Sequence, residues 1–450
     1  MPRIATSLVL LVALCISNVA SSAAEASIED RFIKLLFQPP GEMENSLAYI
    51  DQRWRSEYTP MAVEVMSLAP GGVGFRLVDL LQKRTGQSFG YGANQWFVWW
   101  WQKNQPMPAS YARFKSVLYG LIDPRFAGYF SPERKSRIRL DEVRWGGVAQ
   151  DGIPPLRMPK MIAAKDADYL DDGNVIFGVA INGDVRAYPK RILAWHEMFT
   201  DRIGGIDFAG VYCTLCGAVI LYQTQHQGTL HQLGTSGFLY RSNKLMYDKA
   251  TQSLWNTTWG EPVIGPLADR GIRLQRSYLV TTTWGEWKRR HPQTTVLSLD
   301  TGHQRNYAEG EAYREYFATD QLMFSVSTSD NRLHNKAEVL ALTFPDHSAD
   351  TMAISAAYLG AHPVYANKLG ELEFVVLTDG SGANRVYATH GVEIASYDQR
   401  ETAVDSEGTR WTLGEDNLSA AGERRLERLP AHRAFWFGWF AAYPDTLLVK

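Results

Sequence analysis

Two stretches of this chain resemble one another, and a repeat fixes an architecture before any single element is assigned. A constant shift places Val211 on Val376, Gly217 on Gly382 and Tyr222 on Tyr387, and Ser253-Leu254-Trp255 corresponds to Gly408-Thr409-Arg410-Trp411. Trp284-Gly285-Glu286-Trp287, followed by His291-Pro292-Gln293-Thr294, matches Phe437-Gly438-Trp439-Phe440, followed by Tyr443-Pro444-Asp445-Thr446. Two degenerate copies, 160–300 and 325–450, are expected to form one β-rich unit. Hairpin patterning supports the β texture: Val175 to Ala180, the turn Asn182-Gly183-Asp184, then Val185 to Tyr188.

The N-terminal third reads differently. Arg3, the apolar run Ile4 to Ile16 and the small residues Ala20 to Ala24 have the pattern of a signal peptide, assigned to residues 1–26 with cleavage between Ala20 and Ala26. Residues 27–130 show helical periodicity, including Met61 to Met66 and Phe75 to Leu81. Within them Trp96, Trp99 and Trp100 share a helix face, which reads first as packing and second as a sugar or membrane-interface contact. Residues 131–159, rich in charge, Gly and Pro, form a linker or lead-in arm. The fold class is therefore α+β, a helical domain followed by a β-rich unit of two degenerate repeats.

Composition excludes several function classes. With 46 basic against 48 acidic residues among 450, nothing recommends a nucleic-acid partner. No run after the leader offers the ~18 apolar residues of a membrane span. The sequence has no dinucleotide, P-loop, nucleophile-elbow or haem-attachment motif. Export to the periplasm or outside the cell is expected, with an unidentified small molecule or metal as partner.

Chemistry concentrates at the cysteines. Cys15 falls in the leader, so the mature chain carries Cys213 and Cys216 alone, in one Cys-x-x-Cys turn just before a strand. The second copy has Thr378-Asp379-Gly380-Ser381-Gly382 there and has lost both thiols. Two sulfurs at this spacing reach one metal ion or each other. All ten histidines lie at or beyond His196, which stands on a helix one element upstream. The leading reading is a metal site of Cys213, Cys216 and His196, with His231, Met246 or Asp248 as fourth ligand. Thiolates suit Zn²⁺ or Cu⁺, and the absence of carboxylate pairs argues against Ca²⁺ or Mg²⁺. The alternatives are a thiol–disulfide redox protein and a binding module with a structural disulfide. Whether the chain is an enzyme stays open. Arg241, Ser242, Asn243 and Asp248 are expected to line the same pocket as the thiols.

An ordered set of motifs carries a resemblance. Asp151-Gly152-Ile153-Pro154, Ala187-Tyr188-Pro189, Trp195-His196-Glu197, Tyr212-Cys213-x-x-Cys216-Gly217, Ser242-Asn243, Met246-Tyr247-Asp248, Ser253-Leu254-Trp255 and Phe435-Trp436-Phe437 with Pro444-Asp445-Thr446 follow in that order. Over residues 140–450 the chain resembles the bacterial exported family catalogued as domain of unknown function 3179. The resemblance implies export and carries no activity with it. Its members usually have Pro within the Cys-x-x-Cys turn, where this chain has Thr214.

Overall fold

The computed structural model describes residues 27–344 and 350–450, so the expected signal peptide and Cys15 lie outside the described residues. Seven α-helices run between Ile28 and Tyr129. Local chemistry sets their ends. Ser27 caps the first helix by accepting from the Asp30 N–H, and Asp123 caps Pro124–Tyr129, which carries proline in its first turn. Helix Gly71–Thr85 stops at Gly86, whose left-handed conformation lets its N–H reach Gln82.

The helices do not form a core of their own. Phe238, Tyr240, Leu245 and Tyr247, all on β-strands, are buried in the same apolar cluster as Phe97, Phe114 and Phe126. Phe238 is ringed by Phe126, Tyr129 and Phe130 at centroid distances of 4.8, 6.1 and 5.0 Å. The tryptophan stretch packs inward: Trp96 and Trp100 are buried, and the Trp100 Nε1–H donates to Asp141 at 2.7 Å. Residues 131–159 are an arm woven into the β unit, where Val143–Trp145 pairs antiparallel with Leu233–Tyr240.

Below the helices lies a five-stranded antiparallel sheet, ordered Val143–Trp145, Leu233–Tyr240, Asn243–Asp248, Leu254–Asn256, Glu261–Ile264. A second sheet has Met198–Ile203, Ile206–Cys213 and Ala218–Gln223 at its centre, each antiparallel to the next. A third is built on Val175–Ile181, flanked by Val280–Thr283 on one side and by Asp184–Pro189 on the other, with Thr295–Leu297 parallel to Asp184–Pro189. Their apolar faces meet in a cluster containing Phe177, Tyr188, Phe199, Tyr212 and Leu221.

Further along the chain, Glu338–Leu342 is flanked by Ala431–Phe435 and Met352–Ser355, with Leu447–Val449 parallel to Met352–Ser355. The last sheet has eight strands and starts Val364–Leu369, Leu372–Thr378, Asn384–Ala388.

The turn Thr378–Gly382 has ionic support. Arg385, fully buried, holds Asp379 at 2.8 Å and Glu415 at 2.7 Å, and Asp379 also accepts the N–H groups of Ser381 and Ala383. Removing one partner of such a buried group strands the other charges away from water. Arg385→Met is expected to cost about 3–5 kcal/mol, measured as a lowered urea midpoint at unchanged slope; a loss within error would show that Asp379 and Glu415 are satisfied without it.

Candidate functional site

The cysteine turn sits where strand Ile206–Cys213 reverses into Ala218–Gln223. The reversal is tight, with the Cys216 N–H donating to the Cys213 carbonyl at 3.1 Å and Gly217 at φ 58°. A Cβ built on Gly217 would stand 2.9 Å from the Phe435 ring, so position 217 needs glycine both for its left-handed backbone and for space. The Phe435 N–H donates to the Cys216 carbonyl at 2.7 Å. Leu215 O accepts from the Tyr316 hydroxyl at 2.8 Å.

The two sulfurs are 2.8 Å apart, both free thiols and both buried. Cys213 donates to Cys216 Sγ, and Cys216 donates in turn to the Ser242 carbonyl at 3.3 Å. Burial pushes both thiols up; for Cys213 the hydrogen bond with Cys216 and the backbone N–H of Lys244 outweigh it and bring the thiol below its ordinary value. Cys216 is driven well above its own by burial and by the neighbouring sulfur. The two thiols therefore titrate as a pair, the first proton leaving more easily than the second.

A buried ion pair stands beside them. Lys244, 4% exposed, lies 3.2 Å from the Glu197 carboxylate and donates to the Glu197 carbonyl at 3.1 Å. Burial lowers the Lys244 ammonium pKa, while Glu197 and Cys213 pull it the other way. Tyr313 donates to Glu197 at 3.3 Å. Glu197 closes the helix Lys190–His196 in a left-handed conformation, φ 56°, where a non-glycine residue is strained. The Arg241-Ser242 turn is likewise left-handed at both residues, φ 48° and 62°.

Of Arg241, Ser242 and Asn243, Ser242 touches the thiols, through its backbone carbonyl, and the side chains of the other two are held elsewhere. The Ser242 carbonyl accepts from Cys216, the Asn243 amide donates to the Gly438 carbonyl at 3.1 Å, and Arg241 is held by Glu142 and by the Ala441 carbonyl. Asp248 does not join them. It ends the strand that Asn243 begins, about 17 Å away at ~3.3 Å per residue, and pairs with His231 at 3.1 Å. Met246 is core beside Val211 and Trp255.

His196 is also elsewhere. Its Nδ1 contacts the Pro154 carbonyl at 2.9 Å and its Nε2 the Tyr307 hydroxyl at 2.6 Å, so both ring nitrogens are spent. The expected grouping of Cys213, Cys216 and His196 with His231, Met246 or Asp248 does not form. Among the described residues no set of three or more His, Cys, Asp and Glu side chains is placed to hold a metal ion. The charged neighbour of the thiols is Glu197, which follows His196 in a left-handed conformation and pairs with Lys244. Lys244 was missed, although a lysine in the near-continuous apolar run Leu245-Met246-Tyr247 invites the question of its partner.

A family model described as a protein of unknown function, DUF3179, matches residues 150–446, spanning the cysteine turn and both β segments. The chain belongs to this family. No curated protein and no solved structure matches it. Among the described residues no helix is long and apolar enough to cross a membrane.

Burial lowers the His196 pKa from 6.5 to about 4, so the folded protein refuses a proton that the unfolded chain accepts. The unfolded state then binds more protons across that window, and stability falls as pH drops from 6.5 towards about 4. His196→Gln is expected to flatten that fall in urea midpoints without abolishing it, because buried His432 is shifted the same way. An unchanged slope would place the His196 titration outside the folding equilibrium.

Proposed function

We propose that this is an exported protein whose Cys213–Cys216 pair cycles between dithiol and disulfide. The observation that carries the reading is the contact itself: two buried free thiols 2.8 Å apart, with the Lys244–Glu197 pair beside them. His196, spent on Pro154 and Tyr307, gives the Zn²⁺ or Cu⁺ alternative no support. In the exchange, the Cys213 thiolate attacks one sulfur of a small disulfide and expels a thiolate. Cys216 then passes its proton to that leaving thiolate and attacks Cys213 Sγ, closing the internal disulfide and releasing the second thiolate, protonated by solvent. One disulfide is broken and one formed, so the two electrons pass from the protein to the small molecule. Lys244 offsets the charge that Cys213 carries meanwhile.

The reading includes a duplicated scaffold with one active copy. It is supported by the shared order of the sheets built on Val175–Ile181 and Glu338–Leu342, each with a parallel strand in the same place, at the edge in the second and covered by the short strand Met161–Ala163 in the first. The strand-to-helix corners agree in detail: Trp287 Nε1–H donates to Thr294 at 3.0 Å and Trp439 Nε1–H to Thr446 at 2.9 Å. This equivalence sets Trp284 on Trp436 and Trp287 on Trp439, one residue from the alignment read in the sequence. Failure of the two halves to superpose strand on strand would remove it.

The test uses protein purified without chelator from fractionated cells. Periplasmic or secreted material whose mass starts between Ala20 and Ala26 is expected, and on equilibration with glutathione disulfide it loses two hydrogens, a loss absent in Cys213→Ser and in Cys216→Ser. Thiols that stay free under excess glutathione disulfide, or bound zinc or copper at about one per chain, would overturn the redox reading.

A further inference from the structure

A second feature stands apart from the thiol chemistry. Between the two β segments lies a cavity of about 160 Å³, bounded by the chain neighbours of the cysteines, Tyr212 and Gly217, and by Lys190, Thr281, Arg433 and Phe435. Its polar groups are unevenly spent. The Arg433 guanidinium is committed to Glu338 at 2.8 Å, to Asn384 at 2.7 Å and to the Gly382 carbonyl at 2.6 Å. Lys190 has no such commitment: among the described residues its ammonium meets only the face of Phe317, 5.0 Å from the ring centre.

Two of the lining residues carry orphaned hydroxyls. Tyr212, 1% exposed, and Thr281 have buried hydroxyl oxygens with no hydrogen-bond partner. A native fold rarely leaves such groups unpaired, because each has given up water and received nothing. Both line a cavity that also holds one uncommitted cation. These are the parts of a ligand site, in which the ligand supplies the missing acceptor.

We propose that this junction cavity binds a small organic monocarboxylate, its oxygens taken by Lys190 Nζ and by the Tyr212 and Thr281 hydroxyls. Charge selects the class. With Arg433 and Glu338 paired, the lining keeps one net positive charge, which matches a monoanion and leaves a phosphate dianion under-compensated. The apolar wall of Val175, Phe177 and Phe435 suits a carbon body. Size limits that body, since a cavity of ~150 Å³ accommodates a molecule about as large as benzene. The site does not depend on the dithiol cycle, because none of its three donors is a cysteine.

Isothermal titration of the intact mature protein with acetate, propionate, lactate and benzoate tests the proposal, with inorganic phosphate and acetamide as contrasting probes. Saturable binding of at least one carboxylate is expected, stronger than that of phosphate or acetamide. Lys190→Gln should weaken it by ~10-fold or more, the usual loss of a charge-assisted hydrogen bond. Tyr212→Phe and Thr281→Val should also weaken it, while leaving the thermal stability of the ligand-free protein unchanged or raised, since an orphaned hydroxyl is being removed. That opposite pair of signs separates a ligand donor from a merely structural group. Absence of binding by all four acids, undiminished affinity in Lys190→Gln, or equal affinity for acetamide would overturn the proposal. Thiol titration of the same samples keeps its failure distinct from failure of the redox reading.

Discussion

The β unit depends on one docking contact, the seating of the cysteine turn against the corner where strand Ala431–Phe435 passes into helix Trp436–Ala442. The Phe435 N–H is satisfied by Cys216, and Gly438 lies against the side of the same cysteine: a Cβ built there would be 3.0 Å from Cys216 Cβ. The reverse contact is present as well. The Ser381 hydroxyl, on the turn Thr378–Gly382, meets the Thr282 hydroxyl at 3.0 Å on the strand that leads into helix Trp284–Arg290. Each turn is thus backed by the other segment's strand-to-helix corner, and the cavity between Lys190 and Phe435 is the space these crossed contacts enclose.

The two turns are stabilised by different physics. Thr378–Gly382 is fixed by buried charge, with Arg385 between Asp379 and Glu415, an arrangement that holds one geometry and tolerates little exchange. The cysteine turn has no ion pair within it. Its order comes from backbone hydrogen bonds, from the Tyr316 and Ser242 contacts and from close packing, while the Lys244–Glu197 pair stands outside it. A turn held in this way can change the bonding between its sulfurs without breaking a salt bridge.

How much of this was legible in the sequence depends on the range of the interaction. The division into helices and then strands, the hairpin at Asn182-Gly183, the helix before His196 and the strand after Cys216 all follow from local periodicity and turn chemistry, and all are present. The Arg241-Ser242 turn belongs to the hairpin of Leu233–Tyr240 and Asn243–Asp248, in a different sheet from the cysteine strands, and meets Cys216 through the Ser242 carbonyl. Asp248, expected in the same pocket, failed on strand length. His196 failed for a different reason: one residue past it the chain turns left-handed, so Glu197, not His196, faces Lys244. No periodicity reports which of two adjacent side chains crosses to another sheet. The merging of the helices into the core of the sheet around Phe238 was equally hidden, since an amphipathic helix does not name the surface it covers.

Gly438 gives the docking contact a further consequence. It sits more than two hundred residues from Cys216 in sequence, yet its missing side chain is what leaves room for that cysteine. A residue of any size at 438 presses on the sulfur-bearing turn, and a change at 216 loosens the helix that carries 438. The two positions therefore constitute a single unit of inheritance: substitutions at either are non-additive with those at the other, so each restrains the drift of the other.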